Sequence, residues 1–118
     1  MDEQKIAAKR ELHRLALATA LRDIVATLAR RPEVERVILF GSYAAGRADL
    51  FTDLDILVVM DSAVDFVTRT AEMYRSLASP VDLDLIVYTP AELARNRGRP
   101  FIRQVLETGR VLYEKRTA

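Results

Sequence analysis

Cysteine is absent and histidine occurs once, at His13. The first absence excludes disulfides and cysteine-ligated zinc, and the second excludes a histidine-built metal centre within one chain. The metal chemistry left open is that of hard cations held by oxygen. No charge of one sign dominates either. Eighteen Lys and Arg against seventeen Asp and Glu leave a formal net charge of +1, so no overall basic field argues for general nucleic-acid binding. Arginine does gather late, at Arg95, Arg97, Arg99 and Arg103. Such charges are most often solvated, with contact to phosphate or a partner as the alternative. No apolar run approaches the length that spans a bilayer, so no membrane association is expected. The opening residues Met1-Asp2-Glu3-Gln4-Lys5 carry both charge signs with no apolar segment behind them, unlike a secretory signal. The expectation is a cytoplasmic protein of one domain, since 118 residues suffice for one core and little more.

What is present centres on Gly41-Ser42 and on Asp53-Leu54-Asp55. Val37-Ile38-Leu39-Phe40 leads into this stretch and Ile56-Leu57-Val58-Val59-Met60 leads out. Both runs predict strands, being rich in β-branched and large apolar residues with turn residues between them. Glycine allows backbone N–H groups to approach a phosphate, and the serine adds a hydroxyl donor. Alternation along a strand puts Asp53 and Asp55 on one face. A core has no use for two adjacent negative charges, whereas a cation between them removes their conflict. Either half alone reads as a plain turn or a solvated strand end. Together they have the layout of a nucleotide-handling enzyme.

Around this centre the periodicity predicts a helix from Asp2 to Arg30, ended by Arg31-Pro32. Its apolar stripe is broad at Leu15-Ala16-Leu17-Ala18, which suits packing on a sheet or on another subunit. His13 falls within it and reads as a surface or interfacial residue. Strands are expected over 35–40, 53–60, 81–88 and 111–113, with a helical turn at 43–45. Helices are expected over 63–78, from a capping box Thr89-Pro90-Ala91-Glu92 to Asn96, and over 101–108, ended by Gly109. The 63–78 helix would turn Val64, Val67, Ala71, Tyr74 and Leu77 inward, and the 101–108 helix Phe101, Ile102, Val105 and Leu106. Residues 115–118 read as a solvated tail. The loop between the first two strands is too short for a crossover, so these pair antiparallel. The helix between the second and third lets that pair run parallel. The fold class is α/β in the broad sense, α+β more narrowly: a mixed sheet with helices packed on it and a long N-terminal helix.

The third strand carries Asp82 and Asp84 on one face, opposite Leu83, Leu85 and Val87. With the third strand beside the second, three aspartates converge. Two Mg²⁺ ions roughly 4 Å apart could then sit between them and a triphosphate. The acceptor hydroxyl would attack the α-phosphorus in line, and by position Asp84 could take its proton.

Gly-Ser, ten residues, Asp-Leu-Asp within an apolar strand, and a later strand bearing an aspartate resemble the DNA polymerase β-type nucleotidyltransferase superfamily, and within it the minimal nucleotidyltransferases. The resemblance covers nearly all of Val34 to Tyr113. It implies a single domain over 1–118, with an N-terminal helix over 1–31 and a catalytic core over 34–113. It implies Gly41 and Ser42 as phosphate holders and Asp53 and Asp55 as metal ligands. Asp84 becomes the third carboxylate, because Asp-Leu-Ile-Val-Tyr-Thr-Pro resembles the stretch following it in relatives, and Asp82 is the rival. Family members often carry arginine where this chain has Ala45, and Arg47 stands two residues on as a possible substitute. The implied reaction is magnesium-dependent transfer of a nucleoside monophosphate, AMP from ATP, to an acceptor hydroxyl. The acceptor site would come from a partner or a second subunit. Such proteins often pair with a small helical HEPN protein, which they can adenylylate on tyrosine as antitoxin. Two alternatives stand beside this: a non-catalytic binding module, and a small-molecule transferase of aminoglycoside type whose acidic cleft would draw on Asp49, Asp61, Asp65 and Asp82. Base selection leaves no motif in the sequence.

Overall fold

The computed structural model describes residues 2–116. In chain order its elements are α1 (Glu3–Ala29), β1 (Val34–Phe40), the single turn α2 (Gly41–Ala44), β2 (Leu54–Met60), α3 (Phe66–Leu77), β3 (Leu83–Tyr88), α4 (Pro90–Asn96), α5 (Pro100–Thr108) and β4 (Arg110–Glu114). The four strands form one mixed sheet in the order β3-β2-β1-β4. β1 runs antiparallel to β2 and to β4, while β2 and β3 run parallel. This is the pairing that a short first loop and a helical second connection require. Of the expected tail, Lys115 and Arg116 are exposed, and 117–118 lie outside the described residues.

The sheet is covered on both faces. On one, Leu17, Ala20, Ile24 and Leu28 of α1 and Met73 of α3 meet Val37, Leu39, Ile56, Val58, Leu85 and Val87. On the other, Leu93 of α4 and Ile102 and Val105 of α5 meet Ile38, Leu57 and Val59. The odd and even residues of β1 and β2 thus enter different cores, which accounts for their nearly continuous apolar runs.

Three expectations change here. Leu12 and Leu15 are 67% and 52% exposed, and the first fully buried residue of α1 is Leu17. A helix of 27 residues is about 40 Å long, more than the sheet can cover, so its first half overhangs. α3 starts at Phe66, because the Asp65 side chain accepts the Thr68 N–H and caps it there. Its buried residues are Arg69 and Met73, whereas Val64 and Val67 face solvent. The inward arginine broke the apolar periodicity: 5% exposed, it donates to the Val87 and Val64 carbonyls and to Glu92. Gly109 does end α5, with extended rather than left-handed backbone. Glycine is needed there because a Cβ would lie 2.5 Å from the Val105 carbonyl oxygen and 2.7 Å from Ile38.

One further contact finishes the sheet. β3 is an edge strand, and its Leu85 N–H donates to the Tyr74 hydroxyl at 2.8 Å. The partly exposed Tyr74 of α3 therefore seals an outward-facing donor rather than filling the core.

Candidate active site

β1 ends where β2 begins, and Phe40 stands opposite Asp55 across the antiparallel ladder. The chain leaves β1 through Gly41, whose φ of +76° lies in the left-handed region open to glycine. A Cβ on Gly41 would overlap Oδ2 of Asp55. The backbone of the turn is thus packed directly on a carboxylate. Asp55 pairs with Asp84 in the parallel β2–β3 ladder, so the two side chains sit on neighbouring strands. Both point to the face of Leu57, Val59 and α5, as does Asp53, which precedes β2 by one residue.

The electrostatics follow from this crowding. Partial burial, then a hydrogen bond to Asp84, then the charges of Asp84 and Asp53, raise the Asp55 pKa from 3.8 to about 6. Asp84 therefore acts on Asp55 as the geometry requires. Asp82 exerts no such influence on it and is exposed, with its carbonyl taken by the Leu54 N–H. Among the described residues no three acidic or histidine side chains form a ready-made metal cage. The donor set is nonetheless all carboxylate, and burial together with repulsion from its neighbours raises the pKa of one member. Such a set fits a hard divalent cation, which would relieve that repulsion.

The other predicted residues are placed as follows. Ser42 follows Gly41 in α2, half-buried, and its carbonyl accepts the N–H groups of Ala45 and Arg47. Arg47 lines a recess with Arg14, Leu39, Tyr43 and Arg110, on the α1 face of the sheet rather than the aspartate face. Asp61 and Asp65 follow the far end of β2, so they cannot join Asp49 and Asp82 in one acidic cleft. A recess of about 610 Å³ around Val59, Leu93 and Arg97 also lies toward that far end.

Two features escaped the sequence reading. The loop into Asp53 is knitted by Asp49, whose carboxylate accepts the Phe51 N–H and the Thr52 hydroxyl. His13 then reaches from α1 to the Thr52 carbonyl, Nε2 to oxygen 2.9 Å. It is half-buried and secures the residue before Asp53, a contact 39 positions distant that no local pattern announces. The second is Phe101, expected inward but 54% exposed. Its ring meets Phe40 edge-on at 5.7 Å.

A mixed sheet thus brings a glycine-led turn and three aspartates to one corner. The chain belongs to the family "Polymerase beta, Nucleotidyltransferase", whose sequence profile matches residues 22–118. It is 37% identical over 83 residues, 70% of this chain and 82% of the other, to a Methanocaldococcus jannaschii protein provisionally named a protein adenylyltransferase. Its fold is similar to that of a provisionally named nucleotidyltransferase from Sulfolobus solfataricus, with TM-score 0.63, 22% identity and coverage of 91% and 88% of the two chains. A structure described as a toxin–antitoxin with AMP-PNP is 28% identical at TM-score 0.55, over 87% of this chain and 74% of the other. A mutant of the toxin–antitoxin pair MntA-HpeT gives 26% and 0.55, over 78% and 71%.

Proposed function

We propose that this nucleotidyltransferase moves AMP from ATP onto a hydroxyl of a protein partner, a small helical protein of HEPN type, and so acts as the antitoxin of a pair. The reading rests above all on one observation: Gly41, Asp55 and Asp84 meet at one corner, with the Asp55 pKa raised to about 6. The name of the M. jannaschii relative and the AMP-PNP in a toxin–antitoxin relative support adenylyl as the group moved.

In this reading the Gly41 backbone lets the triphosphate approach as no larger residue would, and the Ser42 hydroxyl donates to it. Arg47, expected from the sequence to hold the same phosphates, lies toward the α1 face and is left out of this grip. Asp53 and Asp55, with Asp84, would hold magnesium, which when bound offsets phosphate charge and acidifies the acceptor hydroxyl. Asp84 is the most exposed of the three and accepts the acceptor's proton as its oxygen attacks the α-phosphorus. The bond to the leaving pyrophosphate breaks as the new ester bond forms. His13 holds the loop that presents Asp53.

Calorimetric titration of ATP with magnesium into the wild type and into Asp53→Ala/Asp55→Ala tests the nucleotide site. Binding is expected in the first and lost in the second. Co-expression with a helical partner then tests the acceptor, with mass spectrometry expected to find AMP on a partner tyrosine only with the intact aspartates. Equal ATP binding by both proteins would sink the reading.

A further inference from the structure

Beside the glycine turn lies a small recess of about 110 Å³ lined by Phe40, Gly41, Phe101, Gln104, Val105 and Thr108. Gly41 is common to this recess and to the carboxylate corner. Phe101, Gln104, Val105 and Thr108 share one face of α5, being three or four residues apart. The lining contains no charged side chain. It is therefore suited to a flat neutral group rather than to phosphate. Phe40 holds the Phe101 ring edge-on at 83°, and more than half of that large apolar side chain is open to solvent. The Thr108 hydroxyl donates to the Gln104 carbonyl within the helix, at 2.7 Å. The exposed Gln104 amide is then the polar group available to a ligand.

We propose that this recess seats the nucleobase of the bound nucleotide, with Phe101 stacking on the base and Gln104 selecting adenine. The proposal rests on the nucleotidyltransfer reading above. A glutamine amide offers a donor and an acceptor side by side. It pairs with the N6 donor and N7 acceptor of adenine, whereas guanine presents two acceptors on the same edge. Base stacking on an aromatic ring tolerates any base, so Phe101 supplies affinity and Gln104 the choice.

The test is calorimetry with magnesium, using ATP, GTP and inorganic tripolyphosphate as probes on the full chain. The wild type is expected to prefer ATP to both others. Phe101→Leu keeps an apolar body against Phe40 and removes the π-face. It is expected to weaken ATP by about 5- to 100-fold and leave tripolyphosphate unchanged. Gln104→Ala, at an exposed position that leaves the core intact, is expected to narrow the ATP-to-GTP preference by about tenfold. The seat is overturned if Phe101→Leu weakens ATP and tripolyphosphate together or changes neither, or if Gln104→Ala leaves the preference intact. Tripolyphosphate binding the wild type as tightly as ATP also overturns the seat but spares the nucleotidyltransfer reading. Binding of none of the three overturns that reading and the seat with it.

Discussion

Gly41 answers to two demands at once, a left-handed backbone and a carboxylate where its side chain would be. Gly41→Ala is therefore expected to displace Asp55 as well as strain the turn. Loss of magnesium-dependent ATP binding with a lowered melting temperature would show it, and an unchanged titration would contradict it. Asp55 carries the opposite kind of tension. Its folded pKa of about 6 lies above the 3.8 of a free aspartate, so the folded protein keeps a proton that the unfolded chain has released. Stability then falls as pH climbs from about 4 to about 6. Asp55→Asn is expected to raise the melting temperature in chelator at pH 7.5 by about 4 °C, taking about 1 kcal/mol for a partly exposed group. The gain should vanish below pH 3.8, and activity should be lost. A variant no more stable than wild type at pH 7.5 would mean that the carboxylates do not repel as described.

At the scale of elements, Arg69 and Glu92 tie α3, β3 and α4 together. Glu92 also closes the capping box of α4, accepting the Thr89 N–H at 2.8 Å. The hydrogen bond from Arg69 chiefly holds its pKa below 4.5. Its contribution is complete above pH 4.5 and is lost as acid titrates the folded carboxylate. Glu92→Gln leaves a buried guanidinium without its counter-charge and is expected to cost about 3 kcal/mol in urea unfolding at pH 7. That deficit should shrink below pH 4. The His13 clasp is a lesser tie, worth about 1 kcal/mol. His13→Ala is expected to speed amide exchange in the 49–53 loop while sparing the sheet.

The same scale shows what was legible beforehand. The strands, their faces and the directions of the first three could be read because alternation and connection length are local rules, which also put Asp53 and Asp55 on one face; preferring Asp84 to Asp82 beside them took the family resemblance. The capping box was likewise readable from local rules. Arg69 was not, because its burial depends on an acid 23 positions away. His13 and Thr52 were not, for a like reason. The overhang of α1 was missed because an apolar stripe records what a helix could bury and not how much sheet lies beneath it.

For the whole molecule, that overhang makes a shape 51 Å long and 29 Å in the other two directions. Residues 2–9 bury no side chain fully. Deleting them is expected to leave the melting temperature within about 4 °C of the full chain, and a larger drop would mean that this half of α1 supports the sheet. The edge strand β3 raises a different matter, that of solubility. Sheet edges recruit other strands unless something forbids it, and like charges on the edge are one such device. Here Tyr74 occupies one outward donor, and the exposed Asp82 and Asp84 line the start of the same strand. The carboxylate proposed to accept a proton in each turnover thus also repels a second copy of the sheet. An apolar replacement at Asp84 would yield a protein both silent and sticky, and light scattering would distinguish an inactive molecule from one that has merely clumped.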